Sequence, residues 1–450
     1  MSIGDQQIQL IYKAKTFLKR LNSSNIDSSL SSFCFFASFT ETPGYAKLKY
    51  WLNGWSFSFS FCKILLKNIL AIASETKYVE FANYNTSNNY DTIILSWCYK
   101  KNFQSDGSFN DRYFKENSKD FPNAYWILIA IDDFSPPKNL KSNIKIIKSE
   151  KSFFKYNFFS FIKIIFSTIL KYKFSPRKIF HYLYYSSYLA RIMSSIVKKE
   201  LKKNSYKTVL MPYEAQNFQN KVFFEVKKFN KQIKTIGYVH SITALTSELI
   251  YRSGAPDLLL VHGDSQIEIL KSQLNWPEDR LKLTPSFSYR VGGENYSSNK
   301  IFLPSILMKT DILLNEFEKL IKNYPKKSLP VFNIQNHPLA LSSKKHLDFV
   351  KKLEKILEAH KDHFLNNSFN KKISLFFGVT DPLEALENGA SIIHICSDPV
   401  LESYSEKIWQ NIKVKQLSSF TFQYNVLYPG KYIIFGKKKY ILNETLKNLY

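Results

Sequence analysis

The chain has 450 residues, of which 44% are hydrophobic and 22% charged. That mix excludes a disordered polymer, and the length exceeds what one hydrophobic core ordinarily serves, so two large domains are expected. Net charge is +26, but the lysines are scattered rather than massed. This weakens a nucleic-acid role and leaves an anionic membrane leaflet or an anionic substrate as the charge's partner.

The N-terminus, "MSIGDQQIQLIYKAKTFLKR", lacks the apolar core and small-residue cleavage site of a signal peptide. Its most apolar windows, "FSFSFCKILLKNILAIA" and "FFSFIKIIFSTIL", are interrupted by lysines. Neither supplies the roughly 20 uncharged apolar residues of a membrane span. Cys34, Cys62, Cys98 and Cys396 lie far apart in apolar runs, with no CxxC or zinc spacing. Buried, reduced thiols follow, as does a cytoplasmic chain, with the inner membrane face as a second place for it.

Short apolar runs recur between helical patterns. "SSFCFFASF", "DTIILSWC", "AYWILIAID", "NIKIIK", "KTVLM", "IKTIGYV" and "DLLLVHG" read as strands, followed by "LPVFNIQ", "ISLFFG", "ASIIHIC" and "KYIIFG". Helices are predicted over 311–323 and 345–359. Near-continuous apolar strands alternating with helices predict an α/β fold with parallel sheets covered on both faces. Residues 151–200 form a helical insertion. Within it, segment 154–172 carries Phe154, Phe158, Phe161, Ile165 and Ile169 at helical spacing, with Ser160, Lys163, Ser167 and Lys171 opposite. It is either a helix lying on an anionic membrane or one packed on the domain with solvated lysines. "YRVGGENYSSNK" is the Gly/Asn/Ser-rich break of a chain with 13 Gly. The chain is therefore divided into domain 1–290, linker 291–300 and domain 301–450, with a cleft between two sheets.

Ligands of such sheets bind beyond the carboxyl ends of the strands. Glu214 stands three residues past "TVLM", placed either as a general base or as a first-turn acid stabilised by a helix dipole. His240-Ser241 and His262 end the next two strands. His337-Pro338 ends "VFNIQ", and the proline forbids continuation of the strand, presenting the imidazole. "ASIIHICSDPVLE" is a strand, then Ser397, then a helix containing Glu402. Its N-terminus and Ser397 would donate to a phosphate, with Glu402 facing ribose hydroxyls. The alternative is a Ser/Asp turn that simply caps the helix. No GxGxxG, P-loop, HExxH or GxSxG occurs, so no cofactor and no metal ligand set is assigned.

The order strand–His-Pro, then strand–Ser–helix with an acidic residue, resembles the C-terminal domain of GT-B glycosyltransferases. It is most similar to bacterial enzymes that use CMP-activated sugars, the sialyl-, polysialyl- and Kdo-transferases of capsule and lipopolysaccharide assembly. "DLLLVHGDSQIEILKSQLNWPEDRLKLTPSFSYR" and "MPYEAQNFQNKVFFE…IGYVHS" resemble the closing strands of the N-terminal domain. The resemblance covers about residues 205–405. It implies two Rossmann-like domains facing a cleft, an inverting and metal-independent transfer from a nucleotide sugar, and an oligosaccharide or lipid-linked glycan acceptor. It implies no nucleic-acid partner. His337, Pro338 and Ser397 would serve the donor phosphate, Glu402 the ribose, and Glu214 the acceptor, with Asp106 and Asp111 as alternates for the base. In relatives an acidic pair precedes glycine, whereas here Glu214 precedes Ala215, and Ser105 precedes Asp106-Gly107.

Overall fold

The computed structural model describes residues 1–23, 29, 77–83, 90–150, 166, 170, 185–240, 244–245, 249–289, 299–304, 307–337, 340, 343–365, 373–378, 382–437 and 442–447. The expected strand "SSFCFFASF" and, apart from Phe166 and Leu170, segment 154–172 lie outside the described residues.

The first sheet contains β1 (Lys77–Ala82), β2 (Thr92–Cys98), β3 (Ala124–Ala130), β4 (Ile144–Glu150), β5 (Thr208–Pro212), β6 (Lys234–Tyr238), β7 (Leu258–Val261) and β8 (Leu281–Leu283). Its order is β1-β4-β3-β2-β5-β6-β7-β8. β1 runs antiparallel to β4, and the other neighbours are parallel. The continuous apolar sequences of the central strands are explained by burial on two faces. Ile93, Leu95, Tyr125 and Ile127 enter one core, while Ile94, Trp126 and Leu128 enter the other. Each such side chain contributes about 1.5–3 kcal/mol on burial. Chain order runs outward in one direction from β2 and in the other from β5, so a topological switch point lies between them.

The second half supplies β9 (Lys300–Phe302), β10 (Leu329–Pro330), β11 (Asn333–Gln335), β12 (Phe364–Leu365), β13 (Ile373–Phe377), β14 (Ser391–Ile395), β15 (Ile412–Gln416) and β16 (Thr421–Val426). The second sheet has the order β11-β9-β13-β14-β16-β15, parallel through β14 and closed by an antiparallel hairpin. β10 pairs separately with β12. The chain is thus α/β, with two largely parallel sheets.

The described helices are α1 (Ile3–Ser23), α2 (Tyr185–Leu201), α3 (Asn217–Phe229), α4 (Asp264–Leu274), α5 (Thr310–Lys322), α6 (Lys344–Ala359), α7 (Leu383–Glu387), α8 (Pro399–Glu402) and α9 (Leu442–Lys447). α3 buries Phe218, Val222, Phe223 and Val226 and ends on Lys227 and Lys228, whose charge suits the C-terminal end of the dipole. α5 and α6 cover the second sheet with Leu313, Phe317, Ile321, Phe349 and Leu353. No described helix is long and apolar enough to cross a membrane.

Both termini bridge the two halves. Gln7 of α1, fully buried, donates to the carbonyls of Val400 (3.0 Å) and Ser403 (2.7 Å) and accepts from Ser405 Oγ (2.6 Å). At the other end "KYIIFG", expected as a strand, instead passes over the segments that follow β7 and β8, with bends at Lys431 and Tyr432. Its carbonyls and amides are satisfied by loop and helix-end groups rather than by a ladder: Ser265 N donates to Lys431 O (2.9 Å) and Ile434 N to His262 O (2.6 Å). A Cβ at Gly263 would lie 2.1 Å from Tyr432 O, so this close approach requires glycine. Leu442 and Leu446 of α9 then join the core beneath Ile94 and Trp126. We propose a division at 291–300, of which 291–298 lie outside the described residues, with these two crossings between the halves.

Candidate active site

The switch point opens between the ends of β2 and β5. β5 leads through Tyr213 and Glu214 to Ala215, which adopts φ 54°, a left-handed conformation unusual for a residue with a Cβ. Gln219, fully buried on the first turn of α3, closes this turn. Its Oε1 accepts from Glu214 N (3.0 Å) and Gln216 N (2.9 Å), and its Nε2 donates to Pro212 O (2.6 Å). Asn220 Nδ2 and Arg252 Nη2 both donate to Ala215 O. The backbone amides are thereby satisfied without the Glu214 carboxylate.

That carboxylate is 28% exposed. Its Oε1 lies 3.0 Å from His240 Nε2, and its Oε2 accepts from Gln216 Nε2 at 2.7 Å. Burial pushes its pKa up, but His240, the Gln216 hydrogen bond and the Arg112 charge outweigh that and hold it below the usual glutamate value. His240, two residues beyond β6, packs edge-on against Tyr113 with ring centroids 4.5 Å apart. The pair Glu214–His240 therefore joins the ends of two adjacent parallel strands.

Facing it is the turn 111–114. Asp111, 3% exposed, accepts from Ser96 Oγ (2.5 Å), Tyr113 N (2.7 Å) and Phe114 N (2.6 Å). Burial raises its pKa against these bonds. Both its oxygens are committed to shaping the turn, and it is buried, which sets it aside as a base. The turn projects Arg112, which is exposed. Its guanidinium lies 4.9 Å over the Tyr113 ring and 5.7 Å over Tyr99, with Nη1 donating to Tyr99 Oη at 3.3 Å. Asp106 is exposed and spends Oδ1 on Ser108 N (3.0 Å) and Oγ (2.6 Å). Those hydrogen bonds lower its pKa, and they stay within its own turn.

His262 is 1% exposed. Burial, with the His240 charge behind it, drives its pKa down to about 3. It is a neutral imidazole enclosed near Tyr238 and Tyr289, not an accessible group as the sequence suggested. Ser241 and Pro338 lie outside the described residues.

On the second sheet, His337 follows β11 by two residues and is half-buried. Its pKa is lowered by burial first, then by the charges of Arg112 and His346. The Arg112 charge therefore bears on His337 and on Glu214 alike. Ser397 and Glu402 are brought together, but facing each other. Glu402 Oε1 accepts from Ser397 Oγ (2.6 Å), and Oε2 from Ser397 N (2.6 Å) and Asp398 N (3.2 Å). Ser397 is 1% and Glu402 4% exposed, and burial raises the Glu402 pKa to about 7 despite these donors. α8 is four residues long, shorter than the sequence implies, and the pair caps it. Lys309, with φ 43°, donates from Nζ to Ser397 O at 3.0 Å.

Sequence reading missed Arg112, Gln219 and Lys309. The signal for Arg112 was at hand in "NDRYF", a lone arginine beside an aromatic and a candidate carboxylate. Nothing local distinguished Gln219.

No protein-family model and no curated protein matches the chain. Among solved structures it is similar to a glycosyltransferase from Rickettsia africae ESF-5, at 12% identity over 70% of this chain and 86% of that one, with a TM-score of 0.32. It is also similar to the alpha,alpha-trehalose 6-phosphate synthase of Burkholderia multivorans, at 9% identity over 65% and 77%, with a TM-score of 0.35. A third is the lipopolysaccharide outer core galactosyltransferase WaaB, at 10% identity over 67% and 80%, with a TM-score of 0.28. These are distant likenesses of overall arrangement.

Proposed function

We propose that the chain is a GT-B glycosyltransferase that moves a sugar from a nucleotide-sugar donor to a glycan acceptor. The observation that carries this reading is the Glu214–His240 pair, at 3.0 Å, at the ends of β5 and β6, beside the switch point between β2 and β5. Ligand chemistry in open α/β sheets concentrates at that position. The Glu214 pKa lies below the ordinary value, so the group is an ionised base at neutral pH. It takes the proton of an acceptor hydroxyl as that oxygen bonds to the anomeric carbon. The bond from that carbon to the donor phosphate breaks, configuration inverts, and the nucleotide leaves with the electron pair. His337 donates an N–H to the departing phosphate, which a neutral imidazole can do.

The donor is a CMP-sugar of the sialic acid or Kdo type, with UDP- and GDP-sugars as the alternative. The acceptor is a surface oligosaccharide or lipid-linked glycan, and the transfer is metal-independent. The protein works at the cytoplasmic side, where segment 154–172 meets anionic lipid. Asp106 and Asp111 are set aside as bases because their oxygens serve their own turns. Ser397 and Glu402 are assigned to the helix cap rather than to the nucleotide. That closed cap favours one further reading, a non-catalytic member of a glycan-assembly complex.

Titration calorimetry with CMP, UDP and GDP and their sugars tests the proposal. One nucleotide class should bind and should raise the melting temperature. Absence of binding by all of them overturns the enzyme reading and leaves the scaffold.

A further inference from the structure

We infer that Arg112 is the anion clamp of this cleft, gripping the donor's phosphate from the first-sheet side opposite His337. The inference rests on the nucleotide-sugar reading above and names a contact on the acceptor-side domain. Four features of the residue support it.

The residue is exposed, and among the described residues no carboxylate oxygen lies within 4 Å of its guanidinium. It is also held in place. The rings of Tyr99 and Tyr113 pack against it at 5.7 and 4.9 Å, and Tyr99 Oη accepts from Nη1 at 3.3 Å. A stacked guanidinium keeps a free edge of N–H donors, and that fork fits two oxygens of one phosphate.

The mount is rigid as well. Buried Asp111 fixes the two amides that follow Arg112 and ties the turn to Ser96 of β2. A buried carboxylate spent on a surface turn is a costly way to hold an arginine that does nothing. The location also fits: Tyr113 touches His240, the partner of Glu214, at 4.5 Å between ring centroids. Phosphate gripped there leaves the anomeric carbon near the base and the leaving group between two donors.

The test compares affinities of CMP, UDP and GDP with those of cytidine, uridine and guanosine, for wild type, R112Q and R112K. In wild type the preferred nucleotide should bind about tenfold or more tighter than its nucleoside. R112Q should bring the two within about threefold, by weakening the nucleotide and leaving the nucleoside alone. R112K should keep part of the preference, and it decides the matter if R112Q fails to fold. An unchanged nucleotide preference in R112Q, or in R112K where R112Q is unfolded, overturns the clamp while leaving the donor reading intact. Binding of none of the six probes by wild type overturns the donor reading, and the clamp with it.

Discussion

Two glutamates lie in the strand-to-helix segments that follow β5 and β14, and they meet opposite fates. Glu214 follows β5, is 28% exposed and has its pKa held low. Glu402 follows β14, is 4% exposed and has its pKa pushed up to about 7. The difference lies in who satisfies the turn. After β5, Gln219 accepts the loose amides, so the carboxylate of Glu214 is left to face the cleft. After β14 no such residue intervenes, and Glu402 itself accepts three donors from Ser397 and Asp398. In this chain the carboxylate left available is the one whose neighbouring amides another side chain accepts.

Four changes sharpen or break this contrast. The largest effect is expected from E214Q, which keeps the shape and removes the base. Transfer rates should fall about 10²- to 10⁴-fold with the melting temperature little changed, and undiminished turnover would remove Glu214 from the mechanism. Next, Q219A should cost about 2–4 kcal/mol in denaturant unfolding, because two part-buried amides and a buried carbonyl lose their partner. A cost below about 1 kcal/mol would mean that water or Glu214 replaces it.

The third change acts through pH. The folded pKa of Glu402, about 7, lies above its ordinary 4.5. Its contribution is therefore full below about pH 4.5 and is lost as pH rises through 7, a span of about 3 kcal/mol. The stability difference between wild type and E402Q should shrink over that window. His262 and His394, held down to about 3 and 4 by burial, act oppositely, their contribution fading as pH falls below about 6.5. The smallest effect is expected from A215G. Relief of the left-handed backbone exceeds the entropy lost to glycine, for a gain of about 0.5 kcal/mol.

The central strands were legible because burial on both faces makes "TIILSWC" and "AYWILIA" continuously apolar. α5 and α6 were legible from their single apolar faces. The β15–β16 hairpin was not, since "IKVKQ" and "TFQYNV" mix exposed lysine and amide side chains into an edge. "KYIIFG" misled because an apolar run reports burial and not pairing. Glu214 and His240 could be placed at strand ends from the sequence. Their partnership joins residues 26 apart, which local pattern does not report, whereas Gln219 and Arg112 act on near neighbours in the chain, and what stayed hidden was which side chain the turn would use.

The most direct measurement of the central claim is nucleotide release from CMP-, UDP- and GDP-sugars in the presence of EDTA and a glycan acceptor, by wild type and E214Q side by side. The account predicts acceptor-dependent release from one donor class by wild type, unaffected by the chelator, and about 100-fold or greater loss in E214Q. Release that requires added divalent cation, equal release by the two proteins, or none from any donor would contradict it.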